Sequence, residues 1–241
     1  MKQKYLLLVL LIALLPQMAN AQWPWESAED LHKQGMQYYK TNDYNNAISY
    51  FSKAGDKGMA QSYNMIGIIY LKGLGGKQDF NKAFQYFALG YDIDKNRANS
   101  NYWIGYCYYS GCGVNQNLNK AVQFFKIAAD KGSKLANRYL GMMYYLGEGV
   151  PRNYANAVHY LNFAVNEGDS WAKVFLGACY YEGTGVPMDK QLGRQYLESA
   201  VRQGNDFAQD VLNGYNRREN VNAIVTSLKV GWYVARKLLG D

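Results

Sequence analysis

The sequence holds only two histidines, His32 and His159, and neither has a cysteine or carboxylate at ligand-like spacing. A metal centre or a base-assisted nucleophile needs several such groups converging, and the sequence offers no such set. Cysteine is also scarce: Cys107, Cys112 and Cys179. Cys107 and Cys179 each fall two residues after a helix glycine, where Ile69 and Met143 stand elsewhere. That placement reads as buried apolar packing. Cys112 lies between two glycines and is the one candidate nucleophile. A bridge from Cys107 to Cys112 stays open, because sequence does not carry the Cβ geometry a disulfide requires. Asp and Glu are scattered, and no basic stripe alternates with base-stacking aromatics, so nothing points to nucleic acid. No glycine loop is followed by Lys-Ser or Lys-Thr, which removes the phosphate-cradling reading. The chain therefore reads as non-enzymatic, with no metal and no cofactor.

A long apolar run occurs at the start, Leu6 to Leu15, and it is too short to span a bilayer comfortably. Lys2 and Lys4 precede it, and Ala19-Asn20-Ala21 follows as a small-x-small cleavage site. This order predicts a secretory signal peptide over residues 1–21, with the mature chain beginning at Gln22 in the periplasm or outside the cell. No cysteine follows the run, so a lipid anchor is not expected. Loss of Lys2 and Lys4 takes the formal charge from +7 to +5, a mild excess that suits an envelope protein near anionic surfaces.

What the chain has in plenty is periodicity. Leu140 to Gly168 reads LGMMYYLGEGVPRNYANAVHYLNFAVNEG. Shifted by 36 residues it becomes IGYCYYSGCGVNQNLNKAVQFFKIAADKG in one direction and LGACYYEGTGVPMDKQLGRQYLESAVRQG in the other. Gly105, Gly141 and Gly177 fall in register, as do Tyr108, Tyr144 and Tyr180, and Val114, Val150 and Val186. Two earlier units precede them. Ala28 to Gly58 is a plain one, with Gly35, Tyr38, Ala47 and Phe51. The second, from about Ser62 to Asn96, has Gly76 where the others have Val. From Gly67 to Gly105 is 38 residues, which places two extra residues in the polar stretch Asp92 to Asn99. A half-unit, Ala208 to Tyr215, follows the fifth unit. A fixed period in this range means stacked supersecondary units.

Each unit reads as two helices. Gly and Tyr at i and i+3 share a face of the first helix. A mid-helix glycine costs about 1 kcal/mol against alanine, so its repetition predicts a close helix crossing. The small residues of the second helix (Ala83, Ala121, Ala157) are the expected partners. The GxGV loop ends the first helix with positive-φ glycines, and Pro151 and Pro187 stop it from continuing.

The recurring A-x-x-x-L/I-G-x-x-Y-x-x-G-x-G-V pattern resembles the Sel1-like repeat family, a relative of the tetratricopeptide (TPR) repeats. The resemblance covers about Ala28 to Tyr215. It implies an all-α fold, a right-handed α-α superhelix or solenoid of helix-turn-helix repeats over residues 22–217, that binds other proteins or peptides. Some members staple each unit with a disulfide, and this chain lacks that regular cysteine pair. Exported relatives look like envelope adaptors or regulators.

Solenoids curve, with first helices on the inner surface. The residues expected there are Tyr39, Asn64, Leu71, Tyr102, Tyr106, Tyr109, Arg138, Met142, Tyr145, Trp171 and Tyr181. A tyrosine ladder with a few polar partners suits an extended peptide or a glycan. The same spacing also serves ordinary inter-helix packing, and both readings stand. A final helix, roughly Glu219 to Leu239, is expected to cap the solenoid within residues 218–241. Val221, Ile224, Val225, Leu228, Trp232, Ala235 and Leu239 share its apolar face. With Arg217, Arg218, Arg236 and Lys237 nearby, it also reads as a helix for a membrane surface or a docking partner. The expected function is a protein-interaction scaffold of the bacterial envelope. The alternative is a membrane-surface assembly or signalling regulator acting through that helix.

Overall fold

The computed structural model describes residues 26–217 and 224–231. Helices alternate as first and second members of each unit. They are α1 (Ala28–Lys40) with α2 (Tyr44–Asp56), α3 (Ala60–Lys72) with α4 (Phe80–Ile93), and α5 (Ala98–Ser110) with α6 (Leu118–Asp130). Then come α7 (Lys134–Leu146) with α8 (Tyr154–Asn166), α9 (Ser170–Glu182) with α10 (Lys190–Arg202), and α11 (Asp206–Asn216). A further helical stretch, α12, covers residues 224–231. The described residues contain no strand, and the architecture is an α-solenoid. The expected leader at 1–21, Trp23-Pro24-Trp25, Arg218, Val221 and the stretch Trp232 to Leu239, expected to continue the C-terminal helix, lie outside the described residues.

Every second helix opens on a short acceptor. Asp43, Asp79, Asn117, Asn153 and Asp189 each take the amide three residues on. Such a cap satisfies one of the helix's orphan donors and is worth about 1 kcal/mol. From the second unit to the fifth the first helices end on left-handed glycines, whereas the first unit turns through Asn42 (φ 61°). In the fourth unit these are Gly147 (φ 76°) and Gly149 (φ 70°). The second glycine also sets the spacing between units. A Cβ on Gly149 would lie 2.7 Å from the Cβ of Leu118, at the start of the preceding unit's second helix. Gly113 and Gly185 abut Phe80 and Tyr154 in the same way.

The mid-helix glycines are sites of close approach, as expected, but their partners differ from the expectation. A Cβ on Gly141 would meet Leu161 Cγ at 2.6 Å, and one on Gly35 would meet the Phe51 ring at 2.6 Å. Gly67 and Gly105 take Phe87 and Phe125 likewise. The small residues Ala47, Ala83, Ala121 and Ala157 are fully buried, yet the glycine's nearest neighbour is the large residue four positions further on. The missing Cβ makes room for a ring or branched chain to lie on the backbone. In the fifth unit Gly193 replaces that alanine, and a Cβ there would be 2.7 Å from the Gly177 carbonyl. The backbones of α9 and α10 approach closely there.

The two extra residues of the second unit lie where the sequence places them. α4 runs to Ile93, one residue longer than its counterparts. Residues 94–97 replace the three-residue glycine turn, with Asp94 accepting from the Asn96 amide at 3.1 Å. Where Gly76 stands for valine, the space stays open. A cleft of about 890 Å³ lies there, lined among others by Asn45, Tyr70, Gln78 and Val114.

Successive first helices touch directly, α3 with α5 and α7 with α9, whereas no two successive second helices make comparable contact among the described residues. The first helices therefore lie on the inside of the curve. One continuous core runs from Leu71 to Leu228. A smaller one, around Phe51, Tyr63, Ile66 and Ile69, belongs to the first two units.

Candidate partner-binding groove

The inner face of α7 carries Arg138, Met142 and Tyr145, one helical turn apart. The repeat register puts Tyr102, Tyr106 and Tyr109 in the same places on α5, and Val174, Ala178 and Tyr181 on α9. The expected open ladder is corrected by burial. Tyr102, Tyr106, Tyr109, Met142 and Tyr145 are each no more than 3% exposed, and Leu71, Asn64 and Arg138 are buried too. On α7 every residue from Ala136 to Leu146 is buried. A first helix of an open solenoid keeps one face in water, so this one has a cover.

Packing between neighbouring first helices accounts for part of the burial. Tyr139 of α7 wedges against α5, with its ring 5.2 Å from Tyr109, 5.9 Å from Tyr102 and 6.1 Å from Tyr106. Tyr145 stands edge-on to Phe175 at 5.4 Å. Asn64 is turned toward α4, where its Oδ1 would lie 2.6 Å from a Cβ on Gly90. Arg138 is held by Asp169, its Nη1 3.4 Å from Oδ2, with both side chains under 10% exposed. The same Asp169 caps α9 through the Ala172 amide. Tyr39, Trp171 and Tyr181 are half-buried. Tyr39 meets Tyr44, Trp171 stacks on Phe207, and Tyr181 stacks on Tyr215 at 3.9 Å.

Two carboxylates, which the sequence reading did not single out, receive the tyrosine hydroxyls. Tyr109 donates to Glu148 at 2.9 Å. Tyr145 and Tyr215 donate to Glu182 at 3.2 and 2.7 Å. Burial pushes the Glu182 carboxyl above its ordinary value, and the two hydroxyls pull partly back. Burial, then the Glu182 charge, holds the Tyr145 phenol well up. Phenol to carboxylate across a unit boundary ties the third unit to the fourth, and the fourth unit and the final half-unit to the fifth.

α12 adds to the same core. Ile224 and Leu228, one turn apart, are 1% and 0% exposed and belong to the same core as Tyr102, Met142 and Tyr145. Lys229 Nζ lies 3.6 Å from Glu148 Oε1. Gly231 lies against the Phe207 ring so closely that a Cβ would collide. Thr226, Ser227 and Val230 face outward. α12 thus turns its apolar side into the core and sets Lys229 beside Glu148, just after α7. Among the described residues no helix is long and apolar enough to cross a membrane.

The remaining singled-out side chains are packing groups. Cys107, Cys112 and Cys179 are free and buried. The bridge left open between Cys107 and Cys112 is not formed, although the two thiols are neighbours; burial, then Cys112, raises Cys107. His32 Nδ1 meets Ser62 Oγ at 2.8 Å, and His159 packs edge-on against Phe163. Among the described residues no group of His, Cys, Asp or Glu could hold a metal ion. The repeated Tyr of each first helix stacks on its own second helix, as in Tyr70 with Tyr86 and Tyr144 with Tyr160.

Paired helices in register, with glycines at each crossing, define an α-solenoid repeat protein. The Sel1 repeat model matches five times, at residues 28–59, 60–93, 98–133, 134–169 and 172–205, and the chain belongs to the Sel1 repeat family. Repeats of this family mediate protein–protein interactions, and the scaffold is typically non-enzymatic. Among solved structures, the chain is similar to c5321, a protective antigen of uropathogenic Escherichia coli strains with an SLR fold. The two share 28% identity at a TM-score of 0.65 over 76% of this chain. The chain spans only 39% of that antigen. A Sel1 repeat protein from Oxalobacter formigenes matches at 24% identity and TM-score 0.68, over 88% of this chain and 89% of its own. A putative Sel1 repeat protein from Klebsiella pneumoniae matches at 15% and 0.53, over 76% and 90%. These two show the fold alone. Comparison with curated proteins gives no match.

Proposed function

We propose that the chain is a non-enzymatic scaffold of the bacterial cell envelope, exported by the segment at 1–21 and acting in the periplasm or outside the cell. It binds a protein or peptide on the concave surface of its first helices. The observation that carries the reading is the seat of α12 in the core beside Glu148. An inner face with apolar side chains, and with Glu148 and Glu182 along it, already holds a peptide segment through two aliphatic anchors and one ion pair. Groove, anchors and a charge at the margin are what recognition of a short peptide requires.

Site-specific photo-crosslinking tests it. A crosslinking residue at Glu148 faces the groove, and one at Phe163, 52% exposed on α8, faces away. In intact cells, a partner trapped from position 148 and not from 163 is the expected outcome. A partner trapped only from 163 overturns the groove assignment. Cell fractionation checks the location, and retention of the full-length chain in the cytoplasm refutes the envelope assignment.

A further inference from the structure

The segment seated in the groove indicates what kind of ligand the groove takes. α7 is buried on all sides, while the corresponding first-unit residues Met36 and Tyr39 on α1 are half-exposed. The cover is therefore local to the middle and later units, where α12 lies. The contacts of α12 divide cleanly. Ile224 and Leu228 enter the core, Lys229 reaches Glu148, and Thr226 and Ser227 lie on the exposed side. Val174 and Ala178, small and fully buried, occupy the places on α9 that Arg138 and Met142 hold on α7. Small side chains at these places leave room for a helix to lie close, where a tyrosine would fill the space. Glu148 is fixed by the Tyr109 hydroxyl, so the carboxylate is already positioned for a cation.

We infer that the concave groove is a receptor for an amphipathic helix bearing two aliphatic residues at i and i+4 and a cation at i+5, and that residues 224–231 are its built-in competitor. The occupant in function is such a helix on a partner protein. The inference rests on the concave-surface reading above and specifies its ligand. Helix-in-groove recognition uses anchors at one-turn spacing, which is what Ile224 and Leu228 supply. The tether also sets the competition. A segment joined to its own groove acts at an effective concentration in the millimolar range. A partner helix therefore has to bind more tightly than the internal one, or arrive where that one has been released. Lys229 is 61% exposed in its side chain while Glu148 is 18% exposed, so the ion pair lies at the groove's rim and can be altered without touching the core.

The test uses the full-length chain and a fluorescent peptide of residues 219–241. Two variants weaken the internal helix: Leu228→Asp removes an anchor, and Lys229→Glu reverses the rim charge. Both are expected to bind the peptide at least tenfold more tightly than wild type. A peptide carrying Lys229→Glu should bind weakly to the Leu228→Asp chain and recover on a chain that also carries Glu148→Lys. If the peptide binds neither variant while Leu228→Asp keeps its helical circular dichroism, the groove is not a helix receptor. If Leu228→Asp unfolds the solenoid and Lys229→Glu behaves as wild type, α12 is a fixed cap and the inference falls. A wild-type dimer that dissociates on Leu228→Asp would assign the seat to a second copy, which also overturns it. The crosslinking experiment is independent. Peptide binding without a partner at position 148 sinks the scaffold reading and leaves the receptor standing. A partner at 148 with no peptide binding does the reverse.

Discussion

Tyr145 on α7 donates its hydroxyl to Glu182 on α9 at 3.2 Å, and the same carboxylate takes the hydroxyl of Tyr215 on α11. One side chain joins three successive first helices, and its titration follows from that position. Burial raises the Glu182 carboxyl above its ordinary value in the folded chain. A carboxyl raised on folding contributes stability that is full below about pH 4.5, its ordinary value, and is lost as pH rises through the folded value. Glu182→Gln removes that loss. Its denaturation free energy, compared with wild type, should move in the variant's favour between about pH 4.5 and neutrality. A pH-independent difference would remove the burial argument.

Tyr145 itself is core. Tyr145→Ala should cost about 3–5 kcal/mol, as for other buried aromatics. Tyr145→Phe keeps the ring and loses only the bond to Glu182, about 1–2 kcal/mol. Urea unfolding of the two variants separates packing from hydrogen bonding. Equal losses would mean that the ring contributes little.

Gly141 faces Leu161 with no room for a side chain. Gly141→Val should destabilise by about 2–3 kcal/mol through overpacking. The control is Gly76, where a Cβ would meet nothing within 4 Å. Gly76→Val supplies the residue that the third to fifth units carry and should gain about 0.5–1 kcal/mol by restricting the unfolded chain. Melting temperatures that move the same way in both variants would contradict this packing account.

The ion pair between Arg138 and Asp169 is buried on both sides. Removing one member strands the other, so Arg138→Ala should cost about 3 kcal/mol. Asp169→Ala adds the loss of the α9 cap, about 1 kcal/mol more. The double variant should cost less than the sum of the singles in a thermodynamic cycle. Strict additivity would show that the two charges do not interact.

Periodicity made the helix pairs, the loop glycines and even the two-residue insertion legible in the sequence, because each is a local pattern repeated in register. The identity of contacts was less legible. Gly141 announces a close approach, but whether Ala157 or Leu161 fills it depends on how the helices cross. At Tyr102, Tyr106, Tyr109 and Tyr145 the sequence left ladder and packing both open, for a longer-range reason. Their cover comes from Tyr139 on a neighbouring helix and from Ile224 and Leu228 far along the chain. On α9 a shift of 36 residues from Arg138 and Met142 lands on Val174 and Ala178, small residues without the aromatic signal that Trp171 carries three positions earlier. Glu148 and Glu182 break the repeat pattern, so nothing periodic marks them.

The contact of Lys229 with Glu148 alters how the array holds together. In a linear stack each unit feels only its neighbours, and either end can fray by itself. Here α12 returns to the fourth unit through Lys229, so the C-terminal half forms a closed circuit whose members must open together. The first unit, whose Ala47 and Phe51 belong to the separate small core, stays outside that circuit, while Leu71 and Phe87 of the second unit join the long core. Amide exchange should therefore be graded along the molecule: fast and piecemeal at the N-terminal end, slow and concerted from α5 onward.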